Sequence, residues 1–176
     1  MKKILIITLM MIAGTSVYAQ FLQIGPVAMY TSPVNKPEGV PSYNEIGLED
    51  FRFGADLRLN FGLLQVAMLA VMEAPGPNAL LEPGKIVLIP TAGINASVLI
   101  FDFGIGVGPS FEFYYGDSSL SEPADFGLNV KGTADINLGK VSLGMIVGTA
   151  FNLTGEGSTL GENMDIYGGI AFLFNI

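Results

Sequence analysis

Seven charged residues lie at alternate positions within otherwise apolar segments, a pattern that would place them together on one face of a sheet. They are Arg52, Asp56, Arg58, Asp102, Glu112, Lys131 and Asp135. Such a set could bind an ion or a polar solute. Because both signs are present and buried charges must pair, the pattern favours a plug of mutual ion pairs over a binding site.

Catalytic chemistry is restricted by what the chain lacks, since it has no histidine and no cysteine. Ser-His-Asp and Cys-His mechanisms and histidine acid–base catalysis are therefore excluded. Zinc sites built on those two residue types are excluded as well. We predict a protein that is not an enzyme, with no catalytic, cofactor or metal site.

The elements that carry these charges are predicted to be β-strands. Asp50–Asn60 alternates between apolar residues and polar or glycine residues, which is the period of a strand with two unlike faces. Leu63–Glu73 is apolar on both faces and could be a buried helix, but its tight link to the preceding segment favours a strand. In all we predict eight strands, at about Gln20–Tyr30, Asp50–Asn60, Leu63–Glu73, Lys85–Ala96, Val98–Tyr115, Ala124–Leu138, Lys140–Leu153 and Met164–Ile176.

The N-terminal segment has the pattern of a secretory signal peptide. Lys2 and Lys3 precede the apolar run Ile4–Ile12, and Val17-Tyr18-Ala19 fits a cleavage site after residue 19. We predict a signal peptide over 1–19 and one domain over 20–176. That domain has 6 Lys and Arg against 16 Asp and Glu, which argues against nucleic acid as a partner.

The connections alternate between tight turns and long loops. Tight turns are predicted at Asn60–Gly62, Asn95–Ser97 and Asn137–Gly139, and long polar loops over 30–49, 74–84, 116–123 and 154–163. Short turns on one side and long loops on the other are typical of outer-membrane barrels. An apolar residue followed by asparagine also recurs at the predicted ends of the even strands, at Asn60, Asn95, Asn137 and Asn175.

The polarity of the strands predicts a barrel that is apolar outside and polar inside. Half of all residues are hydrophobic and only 14% are charged, and lipid-facing strand positions would account for this excess. We therefore predict an all-β fold, a closed up-and-down antiparallel transmembrane barrel of eight strands. Pro26, Pro90 and Pro109 fall within these strands, where we expect bulges or strand ends.

The whole of Gln20–Ile176 resembles the small outer-membrane barrels of the OmpA transmembrane-domain, OmpX and OmpW kind. The C-terminal strand resembles the signal read by the barrel-assembly machinery, through Ile170, Phe172, Phe174 and Ile176. The resemblance implies an outer-membrane location, with the lipid bilayer and the assembly machinery as partners. It also implies a structural or surface-interaction role through the loops. Two alternatives stay open: a narrow channel or passage for hydrophobic molecules, and a soluble secreted barrel that binds a ligand.

A second candidate site lies between the third and fourth strands. A register in which paired residue numbers sum to 158 places Val71 opposite Val87, Leu69 opposite Ile89 and Glu73 opposite Lys85. The four apolar residues, Leu69, Val71, Val87 and Ile89, either are covered by Leu80 and Leu81 of the loop or line an apolar site at the mouth. The stripe Gly104, Gly106 and Gly108 either opens a narrow channel, makes room for an arginine or relieves curvature.

Overall fold

The computed structural model describes residues 21–33, 51–73, 84–115, 125–153 and 164–176. The predicted signal peptide, the proposed cap of Leu80 and Leu81 and most of the four predicted loops lie outside these residues, whereas residues 30–33 and 84, predicted as loop, belong to strands. The described chain forms eight strands: β1 (Leu22–Pro33), β2 (Phe51–Phe61), β3 (Leu64–Glu73), β4 (Gly84–Val98), β5 (Phe101–Tyr115), β6 (Asp125–Asn137), β7 (Val141–Asn152) and β8 (Met164–Asn175). None of the described residues forms a helix long and apolar enough to cross a membrane.

The strands close into an antiparallel up-and-down barrel, which confirms the predicted all-β fold and its closed eight-stranded topology. Each strand pairs with its neighbours in sequence, and β1 closes the barrel by pairing with β8. Following the paired residues once around the barrel leads from Leu22 to Ser32, ten residues further along β1. This stagger tilts the strands relative to the barrel axis. The segment at Leu64–Glu73 is a strand, so the helix alternative is wrong.

The three prolines produce gaps in the hydrogen-bonded ladders, and the prediction of bulges or strand ends is wrong. The register is unchanged on both sides of each proline. Pro90 and Pro109 occupy facing positions between β4 and β5, where the printed pairing stops at Leu88–Phe111 and resumes at Ala92–Val107. Two prolines placed opposite one another remove two hydrogen-bond donors from the same position of the β4–β5 ladder. At its other edge each strand stays paired, Pro90 with Met68 of β3 and Pro109 with Leu128 of β6.

The turn between β4 and β5 lies further along the chain than predicted. We expected it at Asn95–Ser97, but β4 continues to Val98, and the turn is made by Leu99 and Ile100. The asparagine motif therefore does not mark the turn itself in this hairpin.

Candidate functional site: the barrel interior

Four charged side chains cross the lumen as one ion network, defined here as Asp56, Arg58, Lys131 and Asp135. Arg58 donates from Nε to Asp56 Oδ2 at 2.7 Å and from Nη1 to Asp135 Oδ2 at 2.5 Å. Lys131 Nζ lies 3.2 Å from Asp56 Oδ1. All four side chains are buried. Two cations and two anions make the network neutral, which is how buried charges offset the cost of losing water.

The network spans the barrel because its members come from opposite strands. Asp56 and Arg58 lie on β2, and Lys131 and Asp135 lie on β6, four strands away in a closed barrel of eight. Successive side chains on one face of a strand are two residues apart, so each strand supplies its pair from that inward face. Two of the three ion pairs therefore link opposite walls, and the third joins Arg58 to Asp56 within β2.

The other three predicted charges have contacts outside this network, although Asp102 lies directly opposite Asp135 in the register of β5 and β6. Glu112 pairs with Lys85 at 2.5 Å between Nζ and Oε2, next to the long-loop end of β4 and β5. Asp102 is buried near the opposite end, where Asn137 Nδ2 lies 3.4 Å from its Oδ2. Arg52 is half-buried near the start of β2. The seven charges therefore form one central network and separate contacts nearer the two ends of the barrel.

The glycine that leaves space for this network is Gly144, which lies outside the predicted stripe. A Cβ on Gly144 would lie 2.0 Å from Asp135 Oδ1 and 3.8 Å from Arg58 Nη2. The expectation that Gly104, Gly106 and Gly108 make room for an arginine is wrong. Thr133, Gln65 and Thr91 lie beside Gly104 and Gly106, and the carbonyl of Pro90 lies against Gly108.

The short-turn end of the lumen is lined by an amide belt, defined by Gln23, Asn60, Gln65, Asn95, Asn137 and Asn175. Asn60 Oδ1 accepts hydrogen bonds from Gln65 at 2.8 Å and from Asn95 at 3.1 Å. Gln23 links the two sides of the belt, accepting from Asn60 at 3.2 Å and donating to Asn175 at 3.1 Å. Asn175 Nδ2 reaches Asn137 Oδ1 at 3.5 Å. Side-chain amides can both donate and accept, so neighbouring members of the belt can bond one another, although Asn95 Oδ1 is buried without a hydrogen-bond partner among the described residues.

The four asparagines of this belt are the four that end the repeated apolar–Asn motif. Each donates its backbone N–H to the carbonyl of the residue just before an odd strand: Asn60 to Phe21, Asn95 to Leu63, Asn137 to Ile100 and Asn175 to Lys140, at 2.6–2.9 Å. The motif therefore marks one repeated position in four successive hairpins. Its side chain enters the belt, and its backbone joins the two strands of each hairpin, β1–β2, β3–β4, β5–β6 and β7–β8, at the short-turn end.

An apolar cluster of ten buried residues shares the lumen with the charges. The predicted pairs Val71–Val87 and Leu69–Ile89 have the expected register, and all four side chains are inward and buried. They belong to one cluster with side chains from β1, β7 and β8: Val27, Met29, Ile146, Tyr167, Ala171 and Leu173. Whether these four residues also bind a ligand stays a prediction.

Sequence reasoning missed Tyr167, which joins the apolar cluster to the polar residues. Its ring belongs to the cluster, and its hydroxyl donates to Asn129 Oδ1 at 2.7 Å. Gly148 leaves space for the ring, since a Cβ there would lie 2.3 Å from it. The signal available was parity: Tyr167 lies four residues before Ala171, on the face opposite to Ile170 and Phe172.

In these arrangements the lumen side chains contact one another through ion pairs, hydrogen bonds and apolar packing. Among the described residues, no group of three acidic side chains is placed to hold a metal ion. No protein-family model, curated protein or solved structure matches this chain.

Proposed function

We propose that the chain is a non-enzymatic integral barrel of an outer membrane, with a plugged lumen and a structural or surface-interaction role through its loops. The carrying observation is the reversed polarity of the wall. Outward side chains such as Ile94, Val107, Val147 and Ile170 are apolar and exposed, whereas the ion network is buried inside. In water this wall would expose an apolar surface around a polar centre, and a bilayer removes that cost.

Aromatic side chains near both ends of the wall support the same proposal. At the short-turn end the rings of Phe21 and Phe61 meet edge to face at 5.2 Å, and both are exposed. Towards the long-loop end Tyr30 meets Phe51 at 5.9 Å, and Phe111 meets Phe126 at 5.7 Å. Bands of aromatic residues at two levels are typical of barrels whose ends lie at membrane interfaces.

The lumen supports a plug more than a pore. The ion network links opposite walls, the amide belt lines one end and the ten side chains of the apolar cluster are buried inside the lumen. An eight-stranded barrel is just wide enough for its own side chains to fill it. The outward and exposed residues of β8, Ile170, Phe172 and Phe174, are consistent with recognition by the barrel-assembly machinery.

Two measurements on the mature chain test this proposal. Cell fractionation is expected to recover the chain with outer membranes, and extraction is expected to require detergent. Recovery in water without detergent would overturn the membrane assignment and favour a soluble ligand-binding barrel. The purified barrel in planar bilayers is expected to give no steady single-channel current, and a reproducible current would replace the plug with a channel.

A second candidate function is the binding of a hydrophobic small molecule. The observation that favours it is that the apolar cluster includes Val71 and Val87, close to the long-loop ends of β3 and β4. Binding of a fluorescent apolar probe by the native barrel, lost in Leu69→Glu, would support this candidate. Gln65→Glu is the matched control, because it adds the same charge to an inward position of the same strand outside the cluster.

A further inference from the structure

The turn between β4 and β5 differs from the other two short turns in the residue that occupies its left-handed position. Gly62 and Gly139 have φ values of 65° and 88° in the turns after β2 and β6. In the third turn that role falls to Leu99, with φ 59°. Left-handed backbone is unfavourable for a residue with a Cβ, so glycine suits such a position and leucine does not.

Packing within the barrel does not compensate for this conformation. Leu99 is 87% exposed, and its neighbours Val98 and Ile100 are 48% and 51% exposed. These three residues, the apolar tip, form an exposed apolar run at the end of a hairpin. Such runs are unfavourable in water unless something outside the chain covers them. A strained and exposed leucine therefore indicates an external contact.

The tip continues into an apolar groove on the outer wall. Leu63, Ile94, Ala96, Phe103 and Ile105 line the groove, which has a volume of about 370 Å³. Phe101 and Phe103, the outward residues that follow the tip, are exposed. No charged residue occurs in 61–64 or 96–101. The turn after β6, in contrast, carries the exposed Lys140.

We propose that the apolar tip inserts among phospholipid acyl chains and that the groove beside it seats one such chain. This inference rests on the proposed membrane location. Lipid is the occupant that fits, because tip and groove continue the apolar outer wall without a charged boundary. Apolar residues at a membrane boundary gain by burying their surface among acyl chains. The short-turn end of the barrel therefore has two unlike sides: the apolar tip lies in lipid, and the turn that carries Lys140 faces water.

The absence of tryptophan from the chain makes a direct test available. The mature chain is folded into phosphatidylcholine vesicles as single-tryptophan variants. Leu99→Trp and Ile100→Trp probe the tip, Val107→Trp probes the middle of the wall and Lys140→Trp probes the opposite sector. Fluorescence is quenched from the lipid side by brominated acyl chains and from the water side by iodide. Ile100→Trp guards against misfolding at the strained position.

We expect the fluorescence of both tip variants to behave like that of Val107→Trp, with strong quenching by brominated lipid and little quenching by iodide. The fluorescence of Lys140→Trp is expected to be quenched by iodide and not by brominated lipid. Tip variants quenched by iodide like Lys140→Trp would overturn the inference. Protection of the tip from both quenchers would also overturn it, in favour of a protein contact. If Val107→Trp also resists brominated lipid, the membrane location itself fails, which separates that result from a failure of the tip.

Discussion

Within one lumen, four charged side chains form three ion pairs, two of which link β2 to β6, whereas ten mostly apolar side chains from β1, β3, β4, β7 and β8 pack against one another. Both regions are buried and both occupy inward positions. Register fixes which residues point inward, but it does not fix their polarity. Whether a charged or an apolar side chain is stable at an inward position depends on the side chains around it. Asp56 is paired with Arg58 and Lys131, whereas Leu69 packs among other apolar side chains.

The largest effect is expected from unbalancing the ion network. Asp56→Asn leaves Arg58 and Lys131 buried with one carboxylate between them, and should lower the free energy of unfolding by about 3–5 kcal/mol. Urea unfolding of the barrel in phospholipid vesicles would measure this. The compensated variant Asp56→Asn with Lys131→Met restores neutrality and should recover most of the loss. Equal instability of the single and double variants would mean that the four residues do not act as a neutral unit.

A cavity in the apolar cluster is expected to cost somewhat less. Leu69→Ala removes a fully buried side chain and should lower the free energy of unfolding by about 3 kcal/mol, from lost burial and the cavity left behind. Met68→Ala is the matched control, because it truncates the neighbouring residue on the exposed outer face. Similar losses for both variants would show that the two faces of β3 are not distinguished by packing.

The sequence predicted the ion network better than the cluster, for a physical reason. A charge between apolar neighbours, as at Arg58 or Lys131, identifies the inward face without knowledge of the partner strand. Ile146 is apolar, as are its neighbours Met145 and Val147, so its inward direction can be inferred only from a more distant polar residue such as Ser142, four positions earlier on the same face. Which charges meet was not predictable either, because the partners of Asp56 and Asp135 depend on the opposite wall.

The asparagine repeat also predicted part of the structure and missed part of it. Its spacing predicted hairpins and strand ends, and four equivalent backbone hydrogen bonds now explain it. It misplaced the turn after β4, because that hairpin continues past Asn95 to the left-handed Leu99. A leucine in a glycine position gives no sequence signal of a turn. Composition predicts turns where the residue suits the backbone, and fails where it does not.

A glycine beside the ion network allows a test with an intermediate effect. Gly144→Ala would bring a Cβ to 2.0 Å from Asp135 Oδ1, which the bond to Arg58 holds in place. We expect a loss of about 1–3 kcal/mol in the free energy of unfolding, as is usual for overpacking. Gly132→Ala is the control, since its Cβ would meet nothing closer than 3.5 Å. A neutral Gly144→Ala would mean that the ion pair shifts without cost.

The smallest effect is expected at Tyr167, where the two regions meet. Its ring packs in the apolar cluster while its hydroxyl bonds Asn129 at 2.7 Å, so Tyr167→Phe keeps the packing and removes one buried hydrogen bond. The expected loss is about 1 kcal/mol, because the gain from a hydrogen bond is largely balanced by the water it replaces. A double-mutant cycle with Asn129→Ala separates this bond from the rest of each side chain, and the two changes should be non-additive by a similar amount. Tyr30→Phe is the matched control, since it removes the same hydroxyl from a ring that contacts Phe51 on the outer wall.

Additive losses at Tyr167 and Asn129 would contradict this expectation. They would mean that the hydrogen bond between the two residues does not couple the stability of the apolar cluster to that of the polar side of the lumen.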